Sequence, residues 1–171
     1  YQHLIDLALQ AQQDGVIKGI LLHQGETNTG QSQWPSYVHK IYTDMLADLS
    51  LSADAVPLLA GEVLSAPGNC CASMNSIINT LPQTIETAYV ISSDDCPGQD
   101  NAHFNSEGYR ILGRRYAVQM LNLMGYEALY IEPECATVGD SWGVFPDAAA
   151  SNTAYVIPGG ESVVNTTTAP T

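Results

Sequence analysis

The feature that most constrains this chain is a nearly continuous apolar run, Val16, Ile17, Ile20, Leu21 and Leu22, ending abruptly at the polar stretch His23-Gln24-Gly25-Glu26. A run without polar alternation reads as a strand covered on both faces, as in a parallel sheet. Upstream, Leu4, Ile5, Ala8, Leu9 and Ala11 recur on one side of a helix that stops at Asp14-Gly15. Downstream, Pro35 supplies the backbone angle favoured in a first helical turn, and Val38, Tyr42, Met45 and Leu49, with Ile41 between, carry the helical period. Val56 to Val63 reads as the next strand, Met74 to Leu81 as a helix ended or kinked at Pro82, and Ala88 to Ser92 as a third strand. After the loop Ser93 to His103, Phe104 and Tyr109 flank an N-cap at Asn105 as a hydrophobic staple. Tyr109, Leu112, Tyr116, Met120 and Leu123 then mark a long last helix. The order α-β-α-β-α-β predicts a three-layer α/β/α domain with a parallel sheet.

The pattern changes from Tyr126. Tyr130, Val138, Trp142, Val144, Phe145, Tyr155, Val156 and Ile157 are scattered among Gly, Pro, Asp and Asn, which predicts an irregular or β-rich extension over 126–171. It ends in a Thr-rich linker, Asn165 to Thr171, where Asn165-Thr166-Thr167 matches a glycosylation sequon short enough to arise by chance.

Charge narrows the partners. Five Lys and Arg stand against 18 Asp and Glu, a formal net charge of -13 that repels nucleic acid phosphates and anionic lipid head groups. The balance fits a neutral substrate, and equally a protein whose acidity only keeps it soluble. No apolar run reaches the length of a membrane span. The four cysteines form no CxxC pair, and adjacent Cys70 and Cys71 are poorly placed to chelate one ion, so a disulfide is expected rather than a metal site. Cys71 and Cys96 each follow a strand on the same sheet edge and are the expected pair, with Cys70 the less favoured partner. Such a bridge and the Thr-rich tail point to an oxidising, extracellular setting.

Two loops carry candidate chemistry, because both lie just past the C-terminal ends of strands, where open α/β sheets gather their sites. In Asp100-Asn101-Ala102-His103, a carboxylate three residues before a histidine can accept the ring Nδ1 proton and leave Nε2 free to deprotonate a hydroxyl. Alone, the same spacing also describes a capping Asp beside a surface His. In His23-Gln24-Gly25-Glu26, Gly25 permits close backbone approach, Gln24 offers a neutral N–H donor for an oxyanion, and Glu26 offers a second carboxylate. That loop is equally a polar β-to-α connection. Trp34, beside it, could stack on a sugar or anchor the core. Gly113 inside the last helix costs about 1 kcal/mol against Ala, and close packing against the sheet is the expected compensation.

Three blocks in this order resemble the SGNH hydrolase superfamily, and more closely carbohydrate esterase family 6 and the sialate O-acetylesterases. They are Lys18-Gly19-Ile20-Leu21-Leu22-His23-Gln24-Gly25-Glu26-Thr27-Asn28, then Trp34-Pro35-Ser36-Tyr37, and Asp100-Asn101-Ala102-His103-Phe104 with Gly108-Tyr109-Arg110 and Gly113-Arg114-Arg115-Tyr116-Ala117. The resemblance covers about residues 1 to 125. It implies a flavodoxin-like sheet and a serine esterase that deacetylates xylan or related glycans through an acyl-enzyme, without metal or organic cofactor. His103 matches the general base and acid, Asp100 the carboxylate of its block, Gln24 an oxyanion-hole side chain. Glu26 has a rival claim to orient the histidine.

The departure from the family lies in the nucleophile. Family members carry it in an early Gly-x-Ser or Gly-Gln-Ser-Asn block, and nothing of that kind precedes His23; the early oxyanion glycine is missing with it. Ser32, Ser36, Ser65, Ser73, Ser92, Ser93 and Ser106 lack the flanking glycine and read as caps or loop residues. The domain is therefore expected to be incomplete at its N-terminus, with the first strand and nucleophile loop in a segment before Tyr1. A sialate O-acetylesterase, or a glycan-binding fragment without catalysis, are the alternatives.

Overall fold

The computed structural model describes residues 1–65 and 68–126 and the two strands 142–146 and 154–158. Helix α1 (Gln2–Ala11) leads into strand β1 (Ile20–His23), then α2 (Trp34–Asp48), β2 (Leu58–Gly61), the single turn α3 (Asn75–Ile78), β3 (Ala88–Ile91) and α4 (Ser106–Leu123). The strands form one parallel sheet in the order β1-β2-β3, with Ile20 opposite Leu58 and Leu58 opposite Ala88. This is the α/β architecture that the alternation of elements predicts. Among the described residues no helix is long and apolar enough to cross a membrane.

The period of two along a strand separates two cores. Leu58 and Ala60 of β2 face a cluster with Trp34, Val38 and Tyr42 of α2 and Ile78 of α3. Leu59 faces the other side, with Ile91, Leu112 and Tyr116. Each covering layer also sends a tyrosine hydroxyl to the sheet: Tyr42 donates to the Val56 carbonyl at 2.7 Å, and Tyr116 donates to the carbonyl of Leu22. Burial pushes the Tyr116 phenol up to about 12, so it stays a donor at any physiological pH.

Several expectations are corrected. All four residues of β2 are buried, but β1 is covered on one face only, and Leu21 is 63% exposed. The apolar run marks hydrophobicity and not which strand sits at an edge. Ile5 is the buried member of the α1 stripe, packed on Met45 and Leu49, while Leu4 and Leu9 face outward. Met74 to Leu81 is not one helix: 3₁₀ turns at Ala72–Met74 and Leu81–Gln83 flank α3. Asn75 there turns its amide to the backbone, accepting from Val63 N and donating to Val63 O, both at 2.9 Å. Gly113 has nothing within 4 Å of an added Cβ, so the expected packing against the sheet is absent.

The cysteine pairing also differs. Cys70 and Cys71 are bonded to each other, and Cys96 is a buried free thiol. The expected Cys71–Cys96 bridge fails because the sheet lies between them: Cys71 packs on the α2 and α3 side, Cys96 on the α4 side. Burial raises the Cys96 thiol pKa, with Arg115 opposing. Cys135 and the Asn165 sequon lie outside the described residues.

The chain divides into the units Tyr1–Ala128 and Leu129–Thr171. In the second, β4 (Trp142–Pro146) and β5 (Ala154–Pro158) pair antiparallel, Val144 opposite Val156.

Candidate active site

The C-terminal ends of the three strands carry the residues of interest. Asp100 and His103 sit on a turn pinned at its base by a bridge between Gly98 and Phe104, by Gln99 N donating to His103 O at 2.8 Å and by Asn105 N donating to Pro97 O at 3.1 Å. An added Cβ on Gly98 would meet the end of the Leu64 side chain at 2.7 Å and the Asp100 carbonyl at 3.2 Å, so a larger residue there would make the turn or its neighbours shift. Helix α4 begins directly after it. Asn105 caps that helix by accepting from Gly108 N at 2.9 Å, and the Phe104 and Tyr109 rings meet at 5.4 Å as the expected staple.

Inside the turn, the Asp100 carboxylate gathers three donors. The backbone N–H groups of Ala102 and His103 both donate to Oδ1 at 2.8 Å, and the His103 ring offers Nδ1 at 2.9 Å from Oδ2. A carboxylate only accepts, so Nδ1 carries the proton and Nε2 presents its lone pair outward. The ring hydrogen bond and the two amides together hold the Asp100 carboxyl down at about 2. Asp100 in turn raises the His103 pKa above its ordinary value, with a smaller contribution from the charge of Glu26. Both partners are largely open to water.

The second loop lies alongside. The His23 ring, immediately before Gln24, meets Phe104, immediately after His103, at 5.6 Å, and Tyr109 at 6.4 Å. His23 is thus a packing residue at a strand end, its Nε2 3.3 Å from the Glu62 carbonyl. Gly25 is buried, and a Cβ there would press on Met74, Val63 and Ile78 at 3.1 to 3.2 Å, so glycine lets the loop lie against the core without displacing those side chains. Gln24 accepts from the Trp34 indole N–H at 2.6 Å through Oε1 and donates to Asn28 Oδ1 at 2.7 Å through Nε2. Trp34 is 2% exposed, which places it in the core and out of reach of a sugar. Glu26 makes no hydrogen bond to His103, so the direct ring partner is Asp100.

Sequence reasoning passed over Glu62 and the deeper role of Ser93. The buried Glu62 carboxylate accepts from Ser93 N at 2.9 Å and from Asn79 Nδ2 at 2.6 Å, tying the β2 end to the loop after β3. Ser93 is fully buried and donates to the Val63 carbonyl at 2.8 Å. The signal for Glu62 was its place directly after a buried strand. Among the described residues no hydroxyl is hydrogen-bonded to His103 Nε2, and no group of three or more His, Cys, Asp or Glu could hold a metal ion. A cavity of about 210 Å³ lined by Lys18, Pro57, Thr87 and Met120 opens at the opposite ends of the strands and shares no residue with this cluster.

No solved structure matches the chain. Residues 1–122, which include both loops and nearly all of α4, match the family model described as carbohydrate esterase, sialic acid-specific acetylesterase. The strand-end histidine turn and its Gln-Gly-Glu neighbour thus sit within a recognised esterase domain, and the chain belongs to the sialic acid-specific acetylesterase family of carbohydrate esterases.

Proposed function

We propose that this chain carries the base and oxyanion half of a secreted serine-type O-acetylesterase acting on acetylated xylan or a related neutral glycan. The observation that carries the reading is the His103 ring, held through Nδ1 by Asp100 with Nε2 free, in a turn whose Phe104 packs on His23 at the start of the Gln24 loop. In the reaction, Nε2 takes the proton of a serine hydroxyl as its oxygen attacks the acetyl carbonyl carbon, and Gln24 donates to the developing oxyanion. The imidazolium returns the proton to the departing sugar oxygen. Water, deprotonated by the same nitrogen, then releases acetate and restores the serine. The serine itself would come from a segment of the same domain before Tyr1, laid along the outer edge of β1, which among the described residues pairs with β2 alone. Such a strand would pair the backbone N–H and C=O groups that β1 leaves open at that edge.

A neutral glycan is favoured over sialate by charge: the net charge is -13, and the Arg115 guanidinium near the site is already spent on the Ser92 and Asp94 carbonyls. The sialate reading draws its support from the family description. Acetate release by the full-length protein from acetylated xylan and from O-acetylated sialic acid, each with His103→Ala as control, separates them. Faster release from the sialate would reverse the order. Binding of either glycan with no acetate released would leave a non-catalytic glycan-binding module.

A further inference from the structure

We infer that Trp34 is a positioning residue for the reaction: its indole N–H holds the Gln24 amide in the one orientation that leaves an N–H for the oxyanion. This rests on the reading of Gln24 as the oxyanion donor. A glutamine side chain has three rotatable bonds and an amide that can turn end for end, and a donor that wanders supplies little to a transition state. Here the orientation is fixed by chemistry. An indole nitrogen is a donor and never an acceptor, so the atom 2.6 Å from Trp34 Nε1 must be Oε1. That puts the NH₂ on the far side, where one N–H goes to Asn28 Oδ1 at 2.7 Å. Among the described residues the second N–H has no partner.

Asn28 is itself oriented. Its Nδ2 donates to Gln31 Oε1 at 2.8 Å, and the Gln31 carbonyl accepts from Trp34 N at 3.0 Å. The hydrogen bonds therefore run from the Trp34 indole through Gln24, Asn28 and Gln31 back to the Trp34 backbone. The residue at both ends of that circuit is buried and packed with Val38 and Tyr42 at the start of α2. A core side chain thus imposes its own order on a polar group just past the C-terminal end of β1.

The test is a double-mutant cycle in the full-length enzyme with p-nitrophenyl acetate, whose small acyl group makes the readout independent of the glycan. Trp34→Phe keeps the ring in the core and removes the N–H; Asn28→Ala, on a partly exposed 3₁₀ turn, loosens the amide from the other side without touching the core. Each should lower kcat, Trp34→Phe by roughly 10- to 100-fold and Asn28→Ala by less, with KM nearly unchanged, because a misaligned donor is missed in the transition state alone. On a Gln24→Ala background both losses should vanish. If they persist there in full, or if KM rises while kcat holds, Trp34 is a structural anchor and the inference falls while the Gln24 assignment stands. A Gln24→Ala enzyme with normal kcat would instead remove the assignment, and the inference with it.

Discussion

An ion pair as open to water as Asp100 and His103 adds little to stability, because solvent screens it on all sides. Its effect is directional: the carboxylate selects the tautomer and raises the histidine pKa. A general base works when neutral, so a raised pKa places the acid limb of kcat/KM above the ordinary imidazole value near 6.5. Asp100→Asn removes the charge that raises it. That limb should move to lower pH while kcat falls by on the order of 10⁴, as when a triad carboxylate loses its charge. A pH–rate profile of wild type and variant reads both effects. Glu26 acts on the ring by charge alone, so Glu26→Gln should cost about tenfold or less and shift the limb only slightly. The spacing of Asp100 and His103 made their pairing legible, since three residues in a tight turn leave few arrangements. Which of the two carboxylates holds the ring was not legible, because Glu26 reaches the site from another strand. Trp34 was readable as an anchor, but its hydrogen bond to Gln24 depends on a rotamer that no spacing encodes.

Elements tell the same story through their glycines. Gly113 stands exposed on α4 with open space around it, so Gly113→Ala should stabilise the protein by about 0.5–1 kcal/mol, chiefly by restricting the unfolded chain. Gly61 is the opposite case. A Cβ there would collide with the Tyr116 hydroxyl that bonds Leu22, so Gly61→Ala should destabilise by about 1–3 kcal/mol. Denaturant midpoints for the two variants should move in opposite directions. Helix starts were legible wherever the signal was local, as at Asn105 with its staple, or at Pro35 in α2. The break around α3 was hidden because the apolar period of Met74, Ile77, Ile78 and Leu81 runs on through the change from α-helix to 3₁₀ turns. Strand β2 was legible as a strand, but the strand read as covered on both faces was β1, and the full burial belongs to β2, because an apolar run does not say what packs on each face.

At the scale of the whole molecule, two layers of helices bring two loops from different strands to one sheet edge, and that convergence could be anticipated from topology. The buried link from Glu62 to Ser93 and Asn79 keeps that edge in register. Glu62→Ala should cost about 2–3 kcal/mol, since two donors would be left without partners, and thermal unfolding of the variant measures it. The cysteines depended on a global fact, which face of the sheet each one occupies. Their actual pairing changes what the bond can do. A disulfide restrains an unfolded chain by closing a loop, and one between adjacent residues closes almost none. The α/β unit should therefore melt at nearly the same temperature with Cys70 and Cys71 oxidised or reduced, and form as readily in a reducing cytoplasm as outside the cell. What reduction can reach is local, the segment whose Cys70 N–H donates to the Asn101 carbonyl at 2.9 Å, two residues from the histidine.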